Sequence, residues 1–421
     1  MKIRVIAAAL TAAGLVLTGC GRSDTGPSTG PAGGSPVASG SATGNLTMWA
    51  MGAEGEKLPD LLKDFTASHP GIKVNVTAVP WDSAHDKFAN AITANTTPDI
   101  AMVGTTWMGE FAQLDALDPT PANIDKSKFF PGAQATTEVD GTSYGVPWYV
   151  ETRLVFYRKD LAQKVGLTEV PKDWDSFKTF VTKMKGAPGV KYPIALLPGG
   201  TGSWQTVMPF AWSNGAQLAN GNAWTLDSPE MAEAWTYYQS FFTAGLADKA
   251  PVAGSTEADF ASGKVPMFIS GPWMMSAVEK LGGAGFADKY DVFVMPVKKT
   301  SSSFVGGSNL AVFKNTKARD AAWTLAEWLT QPEVQVKWYK LSTDLPSVQS
   351  AWQDPSLTGD TKLAQFGVQM KTAVAPPTFP TWEQVAVKFD GAMERVAKQN
   401  ANVGDTLKTL QADATSIGTG S

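Results

Sequence analysis

Between Asn45 and Gly104 the hydrophobic pattern changes period in a fixed order, and that order leaves few folds open. The run NLTMWA (45–50) is short, apolar and bounded by turn residues. In EKLPDLLKDFTAS, residues Leu58, Leu61, Leu62 and Phe65 recur at i, i+3, i+4 and i+7, the spacing of one helical face. HPG (69–71) stops that helix, and the β-branched, alternating IKVNVTAV (72–79) predicts a strand. WDSAHDKFANAITAN predicts a second helix, with Asp82 as its N-cap and Phe88, Ala91 and Ile92 on one side. PDIAMVG (98–104) predicts a buried strand. Strand, helix, strand, helix, strand is the pattern of a parallel sheet covered by helices. Ligands of such sheets collect at the carboxyl ends of the strands. Here those ends are followed by Met51 to Glu54, Trp81-Asp82 and Thr105-Thr106-Trp107.

A second block begins near YGVPWYVETRLVFYRKDL (144–161). Helical patterns follow at 174–185, 206–216 and 228–246, then a strand running into a helix start at 264–275. Strands are predicted in DVFVMPV (291–297) and SNLAVF (308–313), and helices finish the chain without an internal repeat. At 421 residues and 43% hydrophobic content, the chain is long enough for two to three domains of ~100–200 residues with a large core. A net charge of −4 offers no electrostatic reason for nucleic-acid binding. The 15 tryptophans raise the expectation of aromatic contact surfaces.

Only one cysteine is present, Cys20, so an intrachain disulfide and a cysteine-based metal cluster are excluded. Lys2 and Arg4 precede an uncharged run from Val5 to Thr18, too short for a span of ~20 residues and in keeping with a signal-peptide core. Leu17-Thr18-Gly19-Cys20 resembles the processing site of bacterial lipoproteins. That resemblance implies a signal peptide over 1–19, cleavage before Cys20 and lipid attachment to its sulfur, since several acyl chains together anchor stably. Residues 21–44, rich in Gly, Ser, Thr, Pro and Ala, cannot bury enough apolar area to order themselves. They are expected to tether the body over roughly 25–30 Å on the extracellular face of the cytoplasmic membrane.

LTMWAMGAEGEKL, TPDIAMVGTTWMGEFAQLDAL, YGVPWYVETRLVFYRKDL, GPWMM, GGSNLAVF and the late PTFPTW stand in an order and spacing that cover residues 45 to about 415. Together they resemble extracellular solute-binding protein family 1, the carbohydrate-binding subunits of bacterial ABC importers. The resemblance implies an α/β fold of two lobes, each a central sheet flanked by helices, with the ligand cleft between them. It places the first lobe at 45–150, continued by about 300–343, and the second at 151–299, continued by about 344–421. The expected function is capture of a mono- or oligosaccharide and its delivery by lobe closure to the transmembrane subunits of an ABC permease. A monomer is expected, without cofactor, metal or catalytic residues.

Sugars present an apolar C–H face and a polar rim, so their sites need flat aromatic plates and fixed hydrogen-bonding groups. Trp235, Trp323, Trp328 and Trp338 lie within helical apolar patterns and Trp174 at a helix start, which assigns them to packing. The loop aromatics Trp81, Trp107, Trp148, Tyr149, Trp204, Trp273 and Trp382 remain as candidates. Trp273 follows a strand and a Gly-Pro turn, and the family's tryptophan in this motif stacks on a sugar ring. The resemblance also marks Trp382 in PTFPTW and Trp107 after the third strand. Trp81 can instead staple its helix, and Asp82 can simply cap it. Glu151 and Arg153 sit between apolar neighbours and need partners; an ion pair is the plain reading, and hydroxyl recognition at the lobe crossing is what the resemblance adds for Glu151. Glu54, just before the first helix, Ser308 and Asn309 complete the polar candidates, with Gly306-Gly307 expected at a turn or a close approach. No Asp-Lys pair follows the first strand as in the family's maltose binders; MGAEGE stands there.

Enzyme patterns are weak. GTSYG (141–145) satisfies G-x-S-x-G, but the Asp-Gly before it predicts a hairpin turn, not a nucleophile elbow. His69 and His85 match no metal spacing. Two alternatives remain open: a lipid-anchored extracellular glycan-active enzyme using Glu151 and a second carboxylate as acid and base, and a binding protein of the same fold for a non-sugar solute.

Overall fold

The computed structural model describes residues 33–38 and 42–420; the Asp82 side chain is outside that description. The first five elements follow the order read from the sequence. Strand β1 (Gly44–Met51), helix α1 (Gly52–Ser68), strand β2 (Ile72–Val79), helix α2 (Trp81–Ala94) and strand β3 (Ile100–Gly104) form the edge of a seven-stranded sheet. β1 lies between β2 and β3 and is parallel to both, with Met51 opposite Val79 and Trp49 opposite Ala101. All three strands therefore end on the same side. Leu58, Leu61, Leu62 and Phe65 of α1 are buried on one face, as their spacing requires. Helix α2 starts at Trp81 with Pro80 at the cap position, so the N-cap expected at Asp82 falls inside the first turn.

Strand Ser303–Val312 runs antiparallel to β3 on one side and to strand Val146–Thr152 on the other, and Leu345–Pro346 closes that edge. Ala373–Val374 pairs with the start of Ser303–Val312. This sheet packs with α1, α2 and helices Arg319–Leu329 and Pro332–Ser342 in a core that holds Trp148, Trp323, Trp328 and Trp338.

The second lobe is built on a three-stranded antiparallel sheet, Met267–Ser270, Leu154–Tyr157 and Asp291–Phe293. The last of these is shorter than the strand expected over 291–297. Helices Trp174–Met184, Trp204–Ser213, Pro229–Thr243, Trp382–Gln399 and Val403–Ile417 supply the second core, centred on Phe177, Phe210, Trp235, Tyr238 and Phe389. The chain passes between the sheets at Arg153, which alone separates Val146–Thr152 from Leu154–Tyr157. The GTSYG segment is a hairpin. Asp140 (φ 48°) and Gly141 (φ 76°) both take left-handed conformations between the short strands Glu138–Val139 and Thr142–Ser143, the geometry of a type I′ turn.

Candidate functional site

A cleft of about 810 Å³ opens where β1 and β3 end, lined from both lobes and from the strands that cross between them. The first lobe supplies Glu54, Trp81, Thr105, Thr106, Trp107 and Tyr149. The crossing strands supply Glu151, Phe304, Gly306 and Gly307, and the second lobe supplies Gln205 and Trp273. A cavity of about 950 Å³ beside Tyr192, Leu196, Pro251 and Val265 is walled by second-lobe residues only and brings no facing aromatic plates together.

Chain direction explains why the first-lobe groups meet. Parallel strands bring the β1–α1, β2–α2 and post-β3 loops to one edge. Glu54 lies in the first turn of α1, which begins four residues earlier than expected, at Gly52. Its carboxylate accepts the Tyr149 hydroxyl at 3.4 Å and the Trp81 indole N–H. Burial raises the Glu54 pKa despite those bonds. Trp81 stays 40% exposed and meets Trp107 edge-on, centroids 6.0 Å apart. Trp107 sits in a single 3₁₀ turn directly after β3.

Glu151 and Arg153 form the expected pair, Arg153 Nη2 to Glu151 Oε1 at 3.2 Å. The same Nη2 donates to Gln205 Oε1 at 2.6 Å. Trp273 opens helix Trp273–Gly282 and is 41% exposed. Its ring lies against the backbone of Gly271, where a Cβ would fall 2.0 Å from the ring.

At one rim His85 Nε2 stands 2.8 Å from Glu110 Oε2, which raises the His85 pKa. Glu383, from helix Trp382–Gln399 of the second lobe, hydrogen-bonds Thr106 of the first, and burial raises its pKa. Among the described residues no group of three or more His, Cys, Asp or Glu is arranged to hold a metal ion, and no helix is long and apolar enough to cross a membrane.

The structure therefore brings Glu54, Trp81, Trp107, Glu151 and Trp273 to one cleft, with Arg153 behind them. Four expected ligand contacts are corrected. Trp148 is fully buried and stacks on Trp338 at 4.8 Å. Trp382 is 1% exposed and Trp204 5%, and the two rings pack edge-on at 5.0 Å in the second core. Asn309 is fully buried with its amide bonded to Thr136. Asp82 and Cys20 lie outside the described side chains and residues.

Gln205 and Phe304 are cleft residues that the candidate set lacks, while Tyr149, a candidate loop aromatic, does line the cleft. For Tyr149 and Gln205 the signal is present as periodicity. Alternation along a strand puts Tyr149 and Glu151 on the face opposite Trp148, and Gln205 is one helical step from the inward-facing Trp204. The GGTGSW loop is held from a distance: Asp390 accepts from Gly202 N, Ser203 Oγ and Trp204 N at 2.8, 2.8 and 3.1 Å. Carboxylates able to accept hydroxyls, between indole plates from two lobes, are the groups that recognition of a flat, polyhydroxylated molecule requires.

Known proteins match most of the chain. The chain is 26% identical to the maltotriose-binding protein of Pyrococcus abyssi, across 88% of this chain and 81% of that one. It is 24% identical to the galactooligosaccharide-binding protein of Bacillus subtilis, across 90% of each. Among solved structures, the sugar-binding protein MalE from Xanthomonas citri superposes with a TM-score of 0.84 at 30% identity, covering 89% of this chain and 97% of that one. The fold is accordingly the two-lobed one of periplasmic binding proteins. The model of the bacterial extracellular solute-binding protein family matches residues 49–336, and the chain belongs to that family.

Proposed function

We propose that this protein is an extracellular, lipid-anchored carbohydrate-binding protein that delivers an oligosaccharide to an ABC-type importer by closing its lobes around it. The observation that carries the reading is the cleft. Trp81 and Trp107 of one lobe and Trp273 of the other surround the carboxylates of Glu54 and Glu151. Indoles cover the C–H faces of a pyranose, and carboxylates accept its hydroxyls. The relatives named for maltotriose and galactooligosaccharides support the ligand class. The family supports delivery to a permease, and the residues at 17–20 support attachment through Cys20.

Calorimetry with a panel of mono- and oligosaccharides tests the ligand class. One-to-one binding of at least one neutral sugar supports it, and no binding across the panel refutes it. Incubation with labelled oligosaccharide separates receptor from enzyme: stoichiometric retention fits a receptor, whereas turnover requires a glycan-active enzyme. Cys20→Ser should release the protein from the membrane fraction with sugar affinity unchanged. Retention of the variant on washed membranes would remove the anchor from the proposal.

A further inference from the structure

Arg153 occupies the point at which the chain leaves one sheet for the other. Its backbone is held by the second crossing. Ser303 Oγ donates to the Arg153 carbonyl at 2.8 Å and accepts the Arg153 N–H at 3.3 Å. Its side chain then reaches both lobes. Nη2 bonds Glu151 at 3.2 Å and Gln205 at 2.6 Å, while the guanidinium lies over the Trp273 ring at 4.7 Å and over Phe304 at 5.2 Å. The side chain is 8% exposed, and Nη1 is buried without a partner. A guanidinium covered to this extent does not present donors to a ligand in the cleft, so the direct contact expected from the sequence gives way to another role.

We infer that Arg153 is a positioning residue, holding the Trp273 plate of the second lobe and the Glu151 carboxylate of the crossing strand in one fixed relation, so that both meet the same ligand. The reason is chemical. Trp273 is largely exposed, opens its helix, and lies over a glycine that leaves its ring free of side-chain contact on that side. An unsupported exposed indole samples several rotamers, and ordering it on binding costs affinity. A planar, weakly hydrated guanidinium can stack on an aromatic face and donate in its own plane at the same time. Lysine, a point charge with no plane, cannot do both. The consequence for binding rests on the carbohydrate reading of the cleft; the positioning of Trp273 does not.

Two measurements on the full chain keep those statements apart. In the ligand-free protein labelled with 5-fluorotryptophan, the Trp273 resonance is identified as the one lost in Trp273→Phe. Arg153→Met should move that resonance and increase its H2O/D2O isotope shift. Arg153→Lys should do so by less, and Gln205→Leu, which removes the second-lobe anchor of the guanidinium, should act in the same direction. An unchanged Trp273 resonance in a folded Arg153→Met protein overturns the inference. If Arg153→Met fails to fold, an unchanged resonance in Gln205→Leu does so.

With maltotriose as the probe, Arg153→Met and Trp273→Ala should each weaken binding about 10-fold. The double variant should be weaker by far less than the ~100-fold of independent effects. Additive losses overturn the inference. If maltotriose does not bind the parent protein, the carbohydrate reading loses support and the fluorine spectra decide the role of Arg153 alone.

Discussion

Trp273 and Trp382 stand alike in the sequence, each one or two residues after a proline, and the structure separates them by burial. Trp273 is 41% exposed at the cleft, whereas Trp382 is 1% exposed and packs against Trp204 and Trp224. Trp273→Ala should therefore weaken sugar binding by about 1–3 kcal/mol with little change in melting temperature. Trp382→Ala should cost about 3–5 kcal/mol of stability, the usual range for an emptied aromatic core site. Calorimetry paired with melting curves checks both, and a large stability loss in Trp273→Ala would return that ring to the core. Asp344 carries a different kind of residue-scale effect. Burial, and next the nearby charge of Glu54, raise its pKa from 3.8 to about 7. The folded state thus holds this proton more tightly than the unfolded one. The stability it contributes is complete below the unfolded value near pH 4 and is lost as pH rises through about 7. The Trp338 indole donates to Asp344 Oδ2 at 3.0 Å, a bond that an asparagine carbonyl can also accept. Asp344→Asn should remove that slope and be more stable than the parent at pH 8, by on the order of 2 kcal/mol. Denaturant midpoints at pH 4.5, 6 and 8 test this, and parallel curves for the two proteins contradict it.

At the scale of the element, periodicity says that a strand or helix exists and which face it buries; loops carry no such period. The first β–α–β–α–β run is legible in order, with bounds off by at most about two residues except the start of α1, which lies four residues early, because Leu58, Leu61, Leu62 and Phe65, and then IKVNVTAV, obey helix and strand spacings over whole elements. Loop tryptophans are candidates because of where they fall, and position alone does not fix direction. Trp148 lies on a strand, where one residue of shift reverses the face, and it points into the first core while Tyr149 meets the cleft. Trp204 proves to be the first residue of a helix, one step short of the cleft-lining Gln205. Contacts such as Glu383 with Thr106, or Asp390 with the 202–204 loop, join residues far apart in the chain, and no local pattern announces them. Gly306-Gly307, by contrast, are legible as a turn or a close approach, and the structure places them inside strand Ser303–Val312, which starts five residues before the strand expected over 308–313. Gly307 has φ 117°, and a Cβ there would fall 2.2 Å from the Tyr149 carbonyl oxygen of the neighbouring strand. Gly307→Ala should therefore cost at least about 2 kcal/mol of stability, combining strain with a backbone clash. It should also weaken sugar binding, because the strand displaced carries Tyr149 and Glu151. A melting temperature equal to that of the parent protein would show that the strand pair yields more easily than its packing implies.

The whole molecule turns on how few connections join the lobes near the cleft. One crossing is Arg153, another enters at Ser303, and the Ser303 hydroxyl bonds the two together. Thr152 Oγ1 adds a bond to the Phe304 carbonyl at 2.7 Å, and Ala373–Val374 pairs with Ser303 and Phe304 as a third strand of the same joint. Backbone rotation at such a joint would move large bodies while leaving both cores intact, the hinge mode of domain closure that the proposed function uses. A ligand that touches Trp81 and Trp107 on one side and Trp273 on the other gains its full contact area only when those surfaces approach. On the proposed closure it binds the closed arrangement better and shifts the population toward it by the ratio of the two affinities. A permease that distinguishes loaded from empty receptor can then read shape instead of sugar. Small-angle scattering of the same preparation, with and without a saturating sugar whose binding is confirmed by calorimetry, should show a smaller radius of gyration in the bound state. Trp273→Ala should need more sugar to reach the same compaction, since it weakens the ligand's hold on one lobe. An unchanged radius at confirmed saturation would mean that the ligand is recognised without movement of the lobes, and the importer would have to detect it by another feature.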